Sequence, residues 1–451
     1  MKVHAGWLRG VAMRSILPAL LLFSLMTQAG ALFGDDTLSL DDLVAEGLKA
    51  NPEILAAQAR AQAAGFRIPQ AKSLPDPMFM FGYQNEGFQT LTIGRPENAN
   101  AMGMSSLSQM FYYPGKRKLK GEMATRDAES IAAMYDEARL EVASKIRQLY
   151  YDLFLAYRTV DILNDRAGLY ARIEDAAAAR YSSGMGSQEE VVMAQTEKYM
   201  LLEKEEMQKQ KIQAIEGMLN TAVGRDVNAP LGRPVLAGPT PLHMTLENAL
   251  AAAQDHSPEI RSKKKMVEGA EAKVKMAQKE YYPDFTIGAS YFPRTMGLPD
   301  MWNLTATVNL PIYYKTKQRQ AVAEATAGVW EARRELAATQ LMVASNIRDS
   351  YSMLSAADKL MKLYREGLVP KANQDVQLAL SGYITGKIEA LTAITRNQNL
   401  LDYDLLYWNQ LVEREKAIAR LHTFAGELSP AGADERTRSP EEGGTMGGEA
   451  R

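Results

Sequence analysis

Two hydrophobic periods alternate along this chain, and they follow each other in the same order twice. Apolar side chains recur every three or four positions in long stretches, as at Leu149, Leu153 and Val160, which predicts α-helix. Between those stretches apolar and polar residues alternate one by one, which predicts half-buried β-strands. The strand pattern occupies residues 78–83, 101–112, 285–292 and 302–313. Each half of the chain therefore contains one pair of strands among helices.

Each strand pair is preceded by two short helices, and the second helix of each pair has a clear start signal. Asn51 and Ser257 stand at the N-cap, and Pro52 and Pro258 follow them. This order of residues is typical of a helix start because the cap side chain accepts hydrogen bonds and proline needs none. The four short helices are predicted over residues 40–50, 52–73, 246–256 and 258–279.

The two halves are copies of one plan. Residues 40–82 align with residues 246–288 without a gap, at an offset of 206 positions. A second register, offset by 200, pairs Tyr113 with Tyr313, Gly186 with Gly386 and Glu189 with Glu389. The smaller offset predicts a longer loop inside the first copy. The duplication divides the chain into repeat 1, a linker and repeat 2, at residues 32–225, 226–242 and 243–426.

A very long helix follows each strand pair and then turns back on itself. Residues 116–181 contain no proline, and a helix of that length would be about 100 Å long. The second long helix, residues 315–380, contains Pro370 near its far end, where a kink would make it a hinge. Turns rich in Gly and Ser reverse the chain, so each repeat ends in an antiparallel helical hairpin. The hairpins are predicted over residues 116–222 and 315–424.

The two ends of the chain indicate segments outside the folded part. Positive charges precede a short apolar stretch and a small-residue cleavage site at residues 29–31. We expect a secretory signal peptide over residues 1–31. A membrane anchor is the alternative, but the apolar stretch is shorter than the roughly 20 residues that a bilayer requires. Residues 427–451 are rich in Gly, Pro and charge, which predicts a disordered tail.

Composition narrows the possible functions. The sequence has no cysteine, so it has neither disulfides nor a cysteine for lipid attachment. A net charge of −2 gives no reason to expect nucleic-acid binding. We find no nucleophile–base arrangement and no metal-ligand spacing, so we expect no catalytic residues, no cofactor and no enzymatic activity.

The predicted strands have features of membrane-spanning strands. They average about ten residues, which suits a tilted strand in a bilayer. Aromatic residues stand at the strand ends, as in the girdles of outer-membrane barrels: Tyr112, Tyr113, Tyr281, Tyr282, Trp302, Tyr313 and Tyr314. A soluble hairpin with aromatic core contacts is the alternative. Four strands cannot close a membrane barrel, so we expect further copies to complete it, two chains giving eight strands or three giving twelve.

Several motifs resemble those of one family, the TolC-like outer-membrane efflux proteins. The order of helix, strand pair and long hairpin also resembles that family over about residues 38–426. Within it, the motifs look most like the channels of heavy-metal efflux systems of the resistance-nodulation-division type. These motifs are Leu74-Pro75-Asp76-Pro77, Leu107-Ser108-Gln109, Pro114-Gly115-Lys116-Arg117 and Leu310-Pro311-Ile312.

The resemblance implies an α+β membrane protein. It implies a homotrimer in the outer membrane, with a 12-stranded β-barrel to which each chain gives four strands. A long α-helical coiled-coil barrel would continue this tube through the periplasm. The implied partners are a periplasmic adaptor, an inner-membrane transporter of the resistance-nodulation-division type and outer-membrane lipid. The chain would be the exit duct of a tripartite efflux pump, passively conducting cargo such as copper or silver cations.

The hairpin tips are the first candidate site, because the family's adaptors dock on the matching turns. Glycines there allow a tight reversal of the chain. The alternative is that these residues only shape the turns. The positions are Arg180, Gly184, Gly186, Ser187, Tyr383, Thr385 and Gly386.

An acidic gate near the tips is the second candidate site. Some relatives carry aspartates where this chain has Thr392 and Thr395, so that pattern is absent. Glu189, Glu190 and Glu389 lie nearby and would form an acidic ring in a trimer that attracts cations. The alternative is that they are solvated carboxylates at a helix start.

Methionines in the first strand pair are a third candidate. Met78 and Met80 alternate with aromatic residues, and Met102 and Met104 share one face of the next strand. If the aromatic face meets lipid, these thioethers face the lumen, where they would suit Cu(I). The alternative is that methionine fills an apolar face of the strand, and we assign no firm metal site.

A basic run opens the first long helix, at Lys116, Arg117, Lys118 and Lys120. We interpret it as a solvated helix start just below the membrane interface. Contact with lipid headgroups is the functional alternative.

Two other functions stay open for the whole chain. One is an outer-membrane duct for type I protein secretion or drug efflux. The other belongs to a different class, a soluble periplasmic coiled-coil adaptor or scaffold. The transported substrate cannot be read from the sequence.

Overall fold

The computed structural model of this 451-residue chain describes residues 37–84, 102–236, 238–242, 244–294 and 298–427. The predicted signal peptide and almost all of the predicted tail lie outside the described residues, as do residues 85–101 of the first surface loop.

Helices and strands follow each other in the duplicated order. Repeat 1 contains β1 (Thr37–Leu38), α1 (Leu40–Ala50), α2 (Pro52–Lys72), β2 (Met78–Gln84), β3 (Met102–Phe111), α3 (Lys116–Ser182) and α4 (Gln188–Val223). A short linker strand, β4 (Arg233–Pro234), pairs with β1. Repeat 2 contains α5 (Leu246–His256), α6 (Pro258–Lys279), β5 (Phe285–Phe292), β6 (Met301–Val308), α7 (Gln318–Leu363), α8 (Val369–Ile384) and α9 (Ala390–Ala425).

The predicted cap residues start the second helix of each repeat, but in different ways. The Asn51 side chain accepts hydrogen bonds from the backbone N–H groups of Glu53 and Ile54, at 2.7 and 3.2 Å. Its amide nitrogen also donates to the carbonyl oxygen of Ala222 at 2.7 Å, which joins α2 to the end of α4. Ser257 occupies the equivalent place without a side-chain capping bond. Asn51 therefore fixes the packing of α4 as well as the helix start.

The four long strands form one antiparallel sheet in the order β2-β3-β5-β6. Each repeat contributes its own hairpin, and β3 joins β5 across the repeats. The strands β2 and β6 are the two edges of this sheet.

The helices next to the four strands in the sequence pack side by side in the same order as the strands. The helix α2 packs on α3, α3 packs on α6, and α6 packs on α7. The hairpin partners α4 and α9 pack on α3 and α7, and α9 also packs on α3. One core cluster surrounds Ile146 and Leu219 near α1, and another surrounds Tyr170 and Ile394 toward the tips. Among the residues that the structure describes, no helix has the length and apolar composition needed to cross a bilayer.

The start of the second long helix differs from the prediction. The strand predicted over residues 302–313 ends at Val308, and α7 begins at Gln318 rather than at residue 315. Pro311 explains the early end, since proline has no N–H to donate to a strand partner. Turns occupy the residues between Pro311 and α7.

The second long helix is also interrupted, whereas α3 is continuous over 67 residues. Tyr364–Leu368 form a π-helical segment between α7 and α8, directly before Pro370. A π-turn widens the helix by one residue, and proline removes the N–H that an α-turn would use there. The helix is therefore irregular just before Pro370, and the hinge at Pro370 stays a prediction. The helix α8 continues to Ile384, so part of the predicted tip turn is helical.

The second register of the duplication is 201 along the strands rather than 200. Gly82 pairs with Met104 and its copy Gly288 pairs with Thr305, so Met104 and Thr305 correspond at an offset of 201. The same offset matches residues 142–147 (VASKIR) to residues 343–348 (VASNIR) in the long helices. At the tips the offset is 202, because the left-handed glycines are Gly184 and Gly386 and the N-caps of α4 and α9 are Ser187 and Glu389. The predicted pairings of Gly186 with Gly386, Glu189 with Glu389 and Tyr113 with Tyr313 at an offset of 200 were therefore wrong.

Candidate functional site

The hairpin tips are two tight turns built around glycines of left-handed conformation. Residues 183–187 join α3 to α4, and residues 385–389 join α8 to α9. Gly184 and Gly386 have φ values of +71° and +74°, a region that side chains with a Cβ rarely occupy. Ser187 caps α4 through its hydroxyl, which accepts from the Glu190 N–H at 3.4 Å. The hydroxyl of Thr385 donates back to the carbonyl oxygen of Ser381 at 3.0 Å.

Arg180 connects the two tips. Its guanidinium donates to the carbonyl oxygen of Met185 in its own turn at 3.0 Å and to the carbonyl oxygen of Tyr383 at 3.3 Å. It also lies 5.2 Å from the centre of the Tyr383 ring. A Cβ on Gly386 would come within 2.9 Å of its Nη1 atom, so glycine at this position lets the arginine reach the second tip.

Glu190 completes a triad with Arg180 and Tyr383. Its Oε2 atom accepts a hydrogen bond from the Tyr383 hydroxyl at 2.8 Å and lies 3.6 Å from Arg180 Nε. Burial and this hydrogen bond raise the pKa of Tyr383 to about 12. The hydroxyl therefore stays protonated and donating throughout the physiological pH range. All three residues were candidates from the sequence, but no sequence pattern indicated that they contact each other.

The triad changes the roles available to the predicted tip residues. Tyr383 is fully buried, so its side chain is not on the outer surface of the tip. Glu190 is occupied by Arg180 and Tyr383, whereas Glu189 and Glu389 are exposed. The carboxylates that face solvent at the tips thus come from Glu189 and Glu389. Thr395, at a position where some relatives carry aspartate, donates its hydroxyl to the Leu391 carbonyl oxygen at 2.8 Å.

Exposed apolar side chains at the tips are a feature that the sequence reading missed. Tyr181 and Met185 in the first tip and Ile384 in the second are large apolar residues left in solvent. Singly, such residues are ordinary, but here three of them lie in or next to the two tip turns. Met185 stands directly after Gly184 and Ile384 directly before Thr385, which was the signal in the sequence.

The sheet has one polar and one apolar face. Directly opposed residues of antiparallel strands point to the same side, so the register places Met78 and Met80 with Ser108 and Ser106. The same face continues through Ser290, whose hydroxyl is hydrogen-bonded to that of Ser106 at 2.9 Å. The opposite face carries the apolar residues Phe79, Phe81, Leu107, Phe285, Ile287, Trp302 and Leu304. Met78, Met80, Met102 and Met104 therefore share the polar face.

The basic run at the start of α3 is not a wholly solvated helix start, and that interpretation was wrong for Lys116. Its side chain is 1% exposed, and Nζ lies 3.0 Å from the Asp284 carboxylate and 3.4 Å from Glu280 Oε2. It also donates to the Tyr282 carbonyl oxygen at 3.0 Å. Lys118 is exposed, in line with the prediction. The buried lysine joins the two repeats where the sheet meets the helices.

Aromatic stacking reinforces this junction. The rings of Tyr113 and Tyr282 stack at 4.4 Å, and Lys279 Nζ lies 5.4 Å from both. Asp284 also accepts a hydrogen bond from the Tyr113 N–H at 2.7 Å. Across the described residues, no three His, Cys, Asp or Glu side chains come together in a way that would hold a metal ion.

The geometry defines a duplicated α+β protein with an open, two-faced sheet at one end and linked helical tips at the other. The chain belongs to the outer membrane efflux protein family, whose model matches residues 43–225 and 249–427. The two matched segments correspond to the two repeats.

Individual relatives agree with this assignment. The cobalt-zinc-cadmium resistance protein CzcC of Cupriavidus metallidurans is 21% identical over 321 residues, which cover 69% of this chain and 74% of that protein. The crystal structure of the outer-membrane protein VceC of Vibrio cholerae superposes with a TM-score of 0.74 and 20% identity, covering 86% of this chain and 96% of VceC. CusC superposes with a TM-score of 0.75 at 13% identity, covering 86% of this chain and 92% of CusC.

The family settles the location of the protein. The predicted TolC-like outer-membrane efflux protein is confirmed, and the protein lies in the outer membrane with its helical part in the periplasm. The alternative of a soluble periplasmic scaffold is therefore excluded.

Proposed function

We propose that three copies of this chain form the exit duct of a tripartite efflux pump and conduct substrate passively from the periplasm to the exterior. The observation that carries this proposal is the open sheet, whose edge strands β2 and β6 each have one partner within the described chain. An open edge inside lipid leaves backbone groups without hydrogen bonds, at several kcal/mol each. Three copies give twelve strands, and the helical hairpins continue the tube into the periplasm.

The polar face of the sheet lines the duct in this arrangement. Its serines, threonines and methionines meet water, and the face with Phe79, Phe81 and Trp302 meets lipid. Closure of the sheets into one barrel would thus pair the edge strands and would also turn the polar face to water and the apolar face to lipid.

The tips are the docking surface for a periplasmic adaptor, which connects the duct to an inner-membrane transporter of the resistance-nodulation-division type. The exposed side chains of Tyr181, Met185 and Ile384, beside Gly184 and Thr385, supply the apolar contact. Arg180, Tyr383 and Glu190 hold the two turns in one arrangement. Docking then opens the helical entrance, and Glu189 and Glu389 draw cations to it.

Heavy-metal cations are the proposed cargo. The motifs of the sequence and the relative named for cobalt, zinc and cadmium resistance support this class. Copper or silver is favoured by Met78, Met80, Met102 and Met104 on the lumen face, because thioethers bind soft ions.

Deletion of the gene tests the proposal. We expect lower tolerance to copper, silver, zinc, cobalt or cadmium, with tolerance to dyes and antibiotics unchanged and full rescue by the wild-type gene. The variant Met80→Leu, compared with Leu107→Met on the lipid face, tests the thioether separately. Loss of drug tolerance alone would identify a drug-efflux duct, and loss of a secreted protein would identify a type I secretion duct.

A further inference from the structure

The row of helices α2-α3-α6-α7 has two ends, and each end helix lacks a neighbour that its counterpart has. The helix α6 packs on both α3 and α7. Its copy α2 packs on α3 and on α1, but on no second long helix among the described residues. In the same way, α3 packs on α2 and α6, whereas α7 has only α6 in the row. The contact between α3 and α6 is thus made inside the chain, but the equivalent contact between their copies α7 and α2 is not.

Equivalent residues differ in exposure as this missing contact requires. Leu140 on α3 is 6% exposed, and its copy Leu341 on α7 is 73% exposed. Ala272 on α6 is 1% exposed, and its copy Phe66 on α2 is 70% exposed. A large apolar residue is therefore left in solvent where the other repeat buries its equivalent.

The internal contact between α3 and α6 is polar. Arg261 is ion-paired with Asp136, and Lys265 Nζ lies 3.2 Å from Glu129 Oε2. Ser130 and Ser262 are buried between the two helices, with their hydroxyls hydrogen-bonded at 2.9 Å.

The copies of these residues at the two ends of the row are mostly apolar. Arg261 and Asp136 correspond to Leu55 and Ala337. Lys265 and Glu129 correspond to Ala59 and Trp330. Both of these ion pairs are thus replaced by a large apolar residue opposite a small one, and a third ion pair, between Arg126 and Glu268, is replaced by Ala327 and Gln62. Such a replacement on both surfaces at once is the pattern of two faces that bury each other.

Charge is also complementary at the membrane end of the row. Lys317 is the copy of Lys116 and has no ion-pair partner in the described part of the chain. The copies of the Lys116 partners Glu280, Tyr282 and Asp284 are Leu74, Asp76 and Met78. Asp76 is exposed and supplies the carboxylate among them.

We propose that α7 of one copy docks on α2 of the next copy in the register of the internal contact between α3 and α6. Trp330 then packs on Ala59, Leu55 on Ala337, and Lys317 pairs with Asp76 of the neighbouring copy. The partner on the exposed faces of α2 and α7 is a second copy of this chain, because α7 and α2 are the repeat copies of α3 and α6, which already pack on each other. The inference rests on the proposed trimer and adds the residues that meet across its subunits.

Paired cysteines test this register, since the sequence has no cysteine of its own. The buried serines Ser130 and Ser262 correspond to Glu331 and Ala56, so the variant Ala56→Cys/Glu331→Cys places two thiols across the proposed contact. Oxidation in cells is expected to give covalent dimers and trimers on a denaturing, non-reducing gel.

Two matched variants control the experiment. Ser130→Cys/Ser262→Cys is expected to close a disulfide inside one chain and to run as a monomer. In Ala56→Cys/Ser345→Cys the second thiol moves about 21 Å along the same face of α7, so no cross-link is expected.

The outcomes separate this inference from the proposed function. The protein's size in detergent is measured by light scattering on the same preparation. A trimer in which Ala56→Cys/Glu331→Cys stays uncross-linked, while the Ser130→Cys/Ser262→Cys control closes, overturns the register and leaves the duct standing. A monomer overturns both, and cross-linking to another protein overturns the commitment to a second copy.

Discussion

The Nζ atom of Lys116 lies 3.0 Å from the carboxylate of Asp284, and this ion pair joins the first residue of α3 to the start of β5. The two residues come from different repeats, and Lys116 is almost wholly buried. Either member of this pair is costly without the other, because its charge has left water.

Removal of Lys116, the cation that pairs with Asp284, is therefore expected to destabilise the protein. We predict that Lys116→Met, which leaves Asp284 partly buried without its cation, lowers the free energy of unfolding by about 3 kcal/mol. Lys118→Met, two residues away and exposed, should change it by less than about 0.5 kcal/mol. Thermal unfolding of both variants in detergent makes the comparison, and equal melting temperatures would contradict the buried ion pair.

The tip triad predicts a second effect. Tyr383→Phe removes the hydrogen bond from the hydroxyl to Glu190 and should loosen the contact between the tips by about 1–2 kcal/mol. Faster hydrogen exchange at residues 183–187 and 385–389 would report it. Tyr181→Phe is the matched control, since that ring is exposed and should leave the exchange unchanged. Unchanged exchange in both variants would show that the triad does not hold the turns.

Stability should depend on pH through Glu137 on α3. Burial, with the nearby carboxylates of Glu259 and Glu141, raises the pKa of Glu137 to about 7, while Lys263 opposes the shift. The folded state then binds a proton that the unfolded state releases above its ordinary pKa of 4.5. Stability from this group is present at low pH and is lost as the pH rises from about 4.5 to 7.

The variant Glu137→Gln makes this prediction measurable. It should melt at a higher temperature than the wild type at pH 7.5, and the difference should shrink at pH 5. Glu122→Gln, on the same helix, serves as the control. A constant difference across pH would assign the effect to packing rather than to ionisation.

Pro370 predicts a difference between the two repeats. Pro370→Ala restores an N–H beside the π-helical segment Tyr364–Leu368, so a regular α-helix becomes favourable there by up to about 3 kcal/mol. We expect a stiffer second hairpin, a lower open-channel conductance and reduced metal tolerance. Pro69→Ala, in α2, is the matched control for a proline inside a helix. Conductance unchanged by Pro370→Ala would refute the hinge.

Elements with a periodic pattern could be predicted from the sequence, and contacts between distant residues could not. The alternation around Met78 and Met80 gave the correct pairing of faces because a strand has a strict period of two. Pro311 carried the signal for the early end of β6, since it lacks a strand donor. The aromatic residues beyond Pro311 favour a longer strand, and this conflicting pattern explains why the predicted strand is too long.

The tip triad and the Lys116 junction had no local signal. Lys116 stands in a basic run that is typical of a solvated helix start, and its partners lie more than 160 positions away. Arg180 and Tyr383 are likewise 203 positions apart. Such residues are buried because the two repeats pack on each other, and that packing cannot be predicted from the spacing of residues along one helix.

The bare ends of the helical row bear on how a newly exported copy survives before it has partners. A folded but solitary chain would hold Phe66, Trp330 and Leu341 in water, together with two unpaired sheet edges. Such surfaces bind one another without discrimination and lead to aggregation. We therefore expect periplasmic chaperones to hold the chain until it reaches the membrane. Folding of the outer helices and joining of the subunits would then be a single event in its biogenesis.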